Sequence, residues 1–179
     1  MNYYNMTKLL PQTEMLFKKS KSLDKLSIKE GIILMADENR KAALNVKNVN
    51  QCIENAIIQI HKHLVKNEKG RLIYVGAGTS GRIGVQDGVE LYPTFNWPLE
   101  RFDYIIAGGT KAITMAVENA EDDIDNAIDE VKRKLIGSQD VVIGLAASGN
   151  TPFTCKVLEE ALHRKALTIA ISNNPNGKI

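Results

Sequence analysis

The sequence predicts an α/β protein built on a parallel β-sheet, and three observations carry that prediction. Short apolar runs recur at 71–75, 104–107, 141–145 and 167–171, each continuous, as in strands buried on both faces. Helical stretches lie between them at 83–90, 112–135 (broken near Asp122) and 153–163. Strands alternating with helices need crossover connections, which are right-handed and give a mostly parallel sheet. Finally, two of the strands run into turns rich in glycine and hydroxyl groups, where such sheets hold their ligands.

Composition agrees with that class. The chain has 179 residues, 44% of them hydrophobic and 25% charged, enough for one well-developed core with a helical extension. A net charge of +2, with lysines scattered among acids, argues against nucleic-acid binding. Cys52 and Cys155 form neither a disulfide framework nor a metal-ligand cluster, and read as reduced thiols of a cytoplasmic protein. The opening MNYYNMTKLLPQTEMLF lacks the sustained apolar region and small-residue cleavage site of a signal peptide. No segment approaches the length of a membrane span.

The chain divides into three parts. Residues 1–22 read as a polar arm, in which Lys8, Lys18, Lys19 and Lys21 make a solvated basic face. Residues 23–69 read as a helical extension. Ser27-Ile28-Lys29-Glu30 has the form of a capping box and opens a helix through Ile32, Ile33 and Met35. A longer helix is expected over 42–66, with Ile53, Ile57, Ile60 and Leu64 as one buried stripe. Residues 70–179 carry the sheet. His61, His63 and His163 fall on helices without companion ligands and read as surface residues.

The first turn is Gly76-Ala77-Gly78-Thr79-Ser80-Gly81-Arg82. Its glycines admit close backbone approach, and its N–H groups at a helix start suit an anion. Gly76, Gly78 and Gly81 also match the dinucleotide fingerprint. That reading wants an acid at the end of the second strand, where the sequence has Ala107-Gly108-Gly109. The second turn is Ala146-Ala147-Ser148-Gly149-Asn150-Thr151-Pro152. Ser148 and Thr151 set hydroxyls at another helix start, which suits a phosphate monoester. Serine and threonine there could equally be helix caps, but two such turns after separate strands favour a ligand. Glu90 closes the helix that follows the first turn. Glu118, Glu121, Asp122 and Asp123 crowd the region after the second strand. Any of these acids could serve general acid–base chemistry, and spacing does not choose among them.

Residues 70–82, Pro93-Thr94-Phe95, Ile106-Ala107-Gly108-Gly109, Ala116-Val117-Glu118-Asn119-Ala120-Glu121-Asp122 and Ala146-Ala147-Ser148-Gly149 together resemble the N-acetylmuramic acid 6-phosphate etherases of the sugar isomerase (SIS) superfamily. The glucokinase regulatory protein is a non-enzymatic relative in that superfamily. The resemblance implies an SIS-type doubly wound parallel sheet flanked by helices, with 70–179 as the sugar-phosphate-binding domain. It also implies that the C-terminal portion of the family fold is absent.

The implied activity is cleavage of the lactyl ether with water, giving N-acetylglucosamine 6-phosphate and D-lactate in cell-wall recycling. Metal and redox cofactors are absent from that chemistry, and the protein is expected as a homodimer. By the resemblance, the acid–base glutamates fall on Glu90 and Glu121. Sugar phosphate is held by Gly78, Thr79, Ser80 and Gly81 in the first turn and by Ser148, Gly149, Asn150 and Thr151 in the second. The acid role assigned to Glu90 needs a protonated carboxyl, which burial would favour.

This sequence departs from the etherase pattern at several places. Asp87-Gly88-Val89-Glu90 replaces Asp-Ala-Ser-Glu, Leu91-Tyr92 replaces cysteine and proline, Asn150 replaces a common arginine, and the arginine–asparagine usual after Thr13-Glu14 is missing. Two alternatives stand beside the etherase: a non-catalytic sugar-phosphate-binding protein, regulatory or vestigial, and a sugar-phosphate isomerase.

Overall fold

A computed structural model describes residues 23–179 together with Thr13 and Met15. The arm expected over 1–22 otherwise lies outside the described residues. Helix α1 (Ile28–Asn45) begins at the capping box. The Glu30 N–H donates to Ser27 Oγ at 3.3 Å, and the Ser27 N–H donates to Glu30 Oε2 at 2.8 Å. The helix expected over 42–66 is divided: a 3₁₀ turn at Val46–Val49 separates α1 from α2 (Asn50–Lys66). Asn45, Asn48 and Asn50 cluster at this break, and asparagine competes with helical backbone hydrogen bonds.

The chain forms two compact units, Met15–Gln59 and Ile60–Ile179. In the first, α1 buries none of its residues. The expected buried stripe of α2 is only half realised. Ile53 and Ile57 remain 41% and 60% exposed, whereas Leu64 is buried and Ile60 partly so. Ile60 and Leu64 pack with Val141, Ile143 and Leu72 of the sheet; the described residues place no such layer over Ile53 and Ile57.

The second unit is the α/β domain. Its strands are β1 (Leu72–Gly76), β2 (Phe102–Ile106), β3 (Val141–Leu145) and β4 (Leu167–Ile171), all parallel, in the order β2-β1-β3-β4. Helices α3 (Gly78–Val89), α4 (Leu91–Phe95), α5 (Ile124–Arg133) and α6 (Pro152–His163) connect or flank them. Alternate strand residues serve the two faces, as the pleat requires. Ile73, Val75 and Val142 meet Val131, Phe153, Val157 and Ala161 of α5 and α6 on one face. Leu72, Tyr74, Val141 and Ile143 meet Leu64 and Trp97 on the other. Strand β4 is an edge and is less buried than β3, so the expectation of two buried faces fails there.

The helical stretch expected over 112–135 breaks near Asp122 as expected, but no α-helix precedes the break. Gly109–Ile113 and Ala120–Asp122 are 3₁₀ turns, and α5 starts only at Ile124. Asn119, at φ 59°, breaks the helical path, and the Asp123 carboxylate caps the new helix by accepting from the Asn126 N–H at 2.9 Å. Capping is the favoured role of aspartate at that place.

Opposite the turns, the amino ends of the strands are tied by charge. Asp140 is fully buried just before β3. It accepts from the Arg71 backbone N–H at 3.1 Å, from the Arg71 guanidinium at 3.1 and 2.8 Å, and from the Gly137 N–H at 3.0 Å. Asp103 on β2 pairs with Arg71 at 3.7 Å and also with Lys134. A buried carboxylate persists only when its lone pairs are filled in this way.

Candidate functional site

The strand order reverses between β1 and β3, because β1 is followed by β2 on one side and β3 adds on the other. Open α/β sheets hold ligands in the crevice outside the carboxyl ends of the strands at such a switch point. Both sequence-predicted turns leave from this crevice. Their strands are register partners there, Gly76 opposite Leu145.

At the first turn, β1 passes directly into α3. Strand and helix touch backbone to backbone: a Cβ on Gly81 would lie 2.9 Å from the Gly76 carbonyl carbon and 2.8 Å from Ile106. Only glycine permits that approach. Ala77 is the N-cap of α3 and offers no side-chain cap, so the first-turn N–H groups beside Thr79 and Ser80 remain available to an anion.

At the second turn, Thr151 occupies the N-cap of α6, yet its side chain makes no capping hydrogen bond, and Pro152 follows it. The expected alternative, that this threonine simply caps the helix, is not realised. The Asn150 N–H donates to Ser148 Oγ at 3.1 Å, and the Asn150 side-chain amide donates to the Ser148 carbonyl at 3.1 Å. Ser148 therefore accepts within the loop and keeps its own hydroxyl proton to give. Gly149 is buried, and Ser148, Asn150 and Thr151 are half-buried.

A cleft of about 110 Å³ opens where the first turn meets the loop after β2. Gly78, Arg82, Glu118, Asn119 and Glu121 line it. Arg82 was not singled out by its sequence position. Its guanidinium donates to the carbonyls of Ala112 at 2.8 Å and Met115 at 3.1 Å, tying α3 to the loop that carries the acids. Its partners are backbone atoms far along the chain, so no spacing signal pointed to it.

The two glutamates are not brought together. Glu121 lines the cleft. Glu90 is exposed at the C-terminal cap of α3, and the helix's rise of 1.5 Å per residue puts it about 18 Å along the axis from the Gly78 turn. The burial expected around the Glu90 carboxyl is not supplied by this chain's own fold. Beside it, the Tyr74 hydroxyl donates to Asp87 Oδ2 at 2.7 Å, joining β1 to the last turn of α3. Burial first, and then that hydrogen bond and the Asp87 charge, push the Tyr74 phenol well above its usual range.

Among the described residues no group of three or more potential metal ligands comes together. Cys52 and Cys155 are free thiols. His61 and His163 are exposed as expected, while His63 is half-buried with Nε2 enclosed and unpaired.

The fold is shared with two phosphoheptose isomerases of known structure. A phosphoheptose isomerase from Francisella tularensis superposes with a TM-score of 0.60 at 22% identity, over 82% of this chain and 76% of that one. The phosphoheptose isomerase GmhA from Neisseria gonorrhoeae gives 0.58 at 17% identity, over 82% and 75%. Residues 42–162 match the family described as the glucokinase regulatory protein N-terminal SIS domain, and the chain belongs to that family.

Curated relatives are more specific. An N-acetylmuramic acid 6-phosphate etherase from Oenococcus oeni is 44% identical over 93% of this chain and 56% of its own length. One from Pasteurella multocida is 41% identical over 89% and 52%. The chain spans about half the length of the curated relatives it matches.

Proposed function

We propose that this chain carries the sugar-phosphate site of an N-acetylmuramic acid 6-phosphate etherase, working as a homodimer. The observation that carries the reading is the pairing of two uncapped, hydroxyl-bearing helix starts at one switch point, in a chain 41–44% identical to proteins of that name. The turns at Gly78–Gly81 and Ser148–Thr151 hold the phosphate. Their N–H groups and hydroxyls supply the donors a dianion needs.

Glu121 takes the C2 proton of the opened sugar, which the adjacent aldehyde makes acidic. The electron pair expels lactate from C3 while Glu90 gives the leaving oxygen a proton. Glu90 then takes a proton from water as the water adds at C3, and C2 is reprotonated. Because Glu90 stands at the far end of α3 from the cleft, Glu90 of one copy serves the cleft of the other. The homodimer is therefore part of the chemistry.

The test is to incubate the chain with N-acetylmuramic acid 6-phosphate and follow D-lactate. The expected result is equal release of D-lactate and N-acetylglucosamine 6-phosphate. Binding of the sugar phosphate without lactate release would favour the second reading, a non-catalytic sugar-phosphate-binding protein. The separation of the two carboxylates within one chain is the observation behind that reading.

A further inference from the structure

The segment that follows β4 contains one of the few buried polar side chains among the described residues, Asn174, only 6% exposed. None of the sequence motifs includes it. Its amide Nδ2 donates to the Ser148 carbonyl at 3.0 Å, and its Oδ1 accepts from the Asn176 N–H at 3.4 Å. The neighbouring contacts repeat this arrangement. The Asn173 N–H donates to the Ala147 carbonyl at 3.0 Å, and the Lys178 and Ile179 N–H groups donate to the Gly149 carbonyl at 2.6 and 3.1 Å. Ser172 Oγ accepts from the Asn174 N–H at 3.0 Å and donates to the Asn174 carbonyl at 3.0 Å, fixing the turn itself. Gly177 approaches so closely that a Cβ there would lie 2.8 Å from the Gly149 Cα.

Three consecutive carbonyls of the second turn, at 147, 148 and 149, are thus each engaged by a donor from residues 173–179. Carbonyl oxygens repel an anion, whereas N–H and O–H groups attract it. A loop meant for phosphate must hold its carbonyls elsewhere at no cost in reorganisation when the ligand arrives. We infer that Asn174 is a positioning residue for the anion loop, acting through the Ser148 carbonyl, and that 173–179 and 148–151 behave as one unit toward ligand. This rests on the reading of Ser148–Thr151 as a phosphate site.

Two measurements test it. Amide hydrogen exchange on the wild-type chain, with and without N-acetylglucosamine 6-phosphate, should show added protection in both 148–151 and 173–179. Protection confined to 148–151 overturns the inference. In calorimetry, Asn174→Ala should weaken that ligand by about tenfold, the loss of one well-placed hydrogen bond. The control Val131→Ala, cut into the core behind the sheet, should lower the melting temperature and leave affinity unchanged. Equal loss of affinity in both variants, or none in Asn174→Ala, overturns it. If the wild-type chain does not bind the sugar phosphate, the phosphate reading fails. The brace is then judged separately, by whether Asn174→Ala speeds exchange at 148–151.

Discussion

The two ends of the sheet are built on opposite plans. At the amino ends, Arg71, Asp103, Lys134 and Asp140 neutralise one another, and every oxygen of the buried Asp140 is engaged. At the carboxyl ends, two helices begin without side-chain caps, and the acids of the cleft are exposed. One end has its polar groups satisfied internally and contributes rigidity. The other withholds satisfaction from its donors, which is what a binding site requires. Substitutions should therefore divide cleanly, with stability lost at one end and ligand or turnover lost at the other.

The largest effect belongs to the carboxyl end. Glu121→Gln should lose lactate release and C2 deuterium exchange together, by about a hundred- to ten-thousand-fold. Glu90→Gln should lose lactate release while still washing deuterium into C2. Mixing the two variants should restore release, because a mixed dimer contains one intact pair of carboxylates. Failure to restore activity on mixing would return both residues to a single chain.

Next in size, Asp140→Ala should cost about 3–5 kcal/mol in denaturant melts, the range for breaking a buried ion pair. Sugar 6-phosphate affinity of the folded fraction should not move, and a fall in affinity would break the division between the two ends. Ser148→Ala combined with Thr151→Val should do the reverse, weakening sugar 6-phosphate binding by roughly 1.5–3 kcal/mol. Its melting curve should change little.

The smallest effect sits between the ends. Tyr74 has a phenol held above its unfolded value, so its contribution to stability is complete below about pH 10. That contribution is lost as pH rises from there toward the folded value. Tyr74→Phe should flatten this alkaline loss of stability. In ultraviolet titration of the folded protein, a tyrosine should ionise well above the usual phenol range, and its absence from the Tyr74→Phe curve identifies it.

How much of this was legible in the sequence depended on the range of the signal. The strands at 141–145 and 167–171 and the Ser27 capping box were written locally, in apolar runs and a four-residue pattern, and they formed as read. So were the two turns, though nothing local revealed that β1 and β3 are neighbours or that both turns open on one crevice. Over 112–135 the break near Asp122 formed as read, at Asn119 and the capping Asp123, but the segment before it is 3₁₀ turn and loop instead of helix. Arg82, Arg71 and Asn174 were invisible as participants, since each acts on backbone or charge between 26 and 69 residues away. Residue type at one position carries no record of such partners.

One detail of α3 bears on how this sequence could have been reached. A Cβ on Gly88 would lie 2.0 Å from the ring of Phe102, so the alanine of the etherase pattern obliges this ring to move. Gly88→Ala alone overfills the site, a change that commonly costs 1–3 kcal/mol. The reverse order, with Gly88 first and the large ring second, passes through a cavity instead of a collision. The order of the two changes therefore sets whether the intermediate meets a collision or a cavity. The route through the cavity trims residue 102 before the helix regains its methyl group.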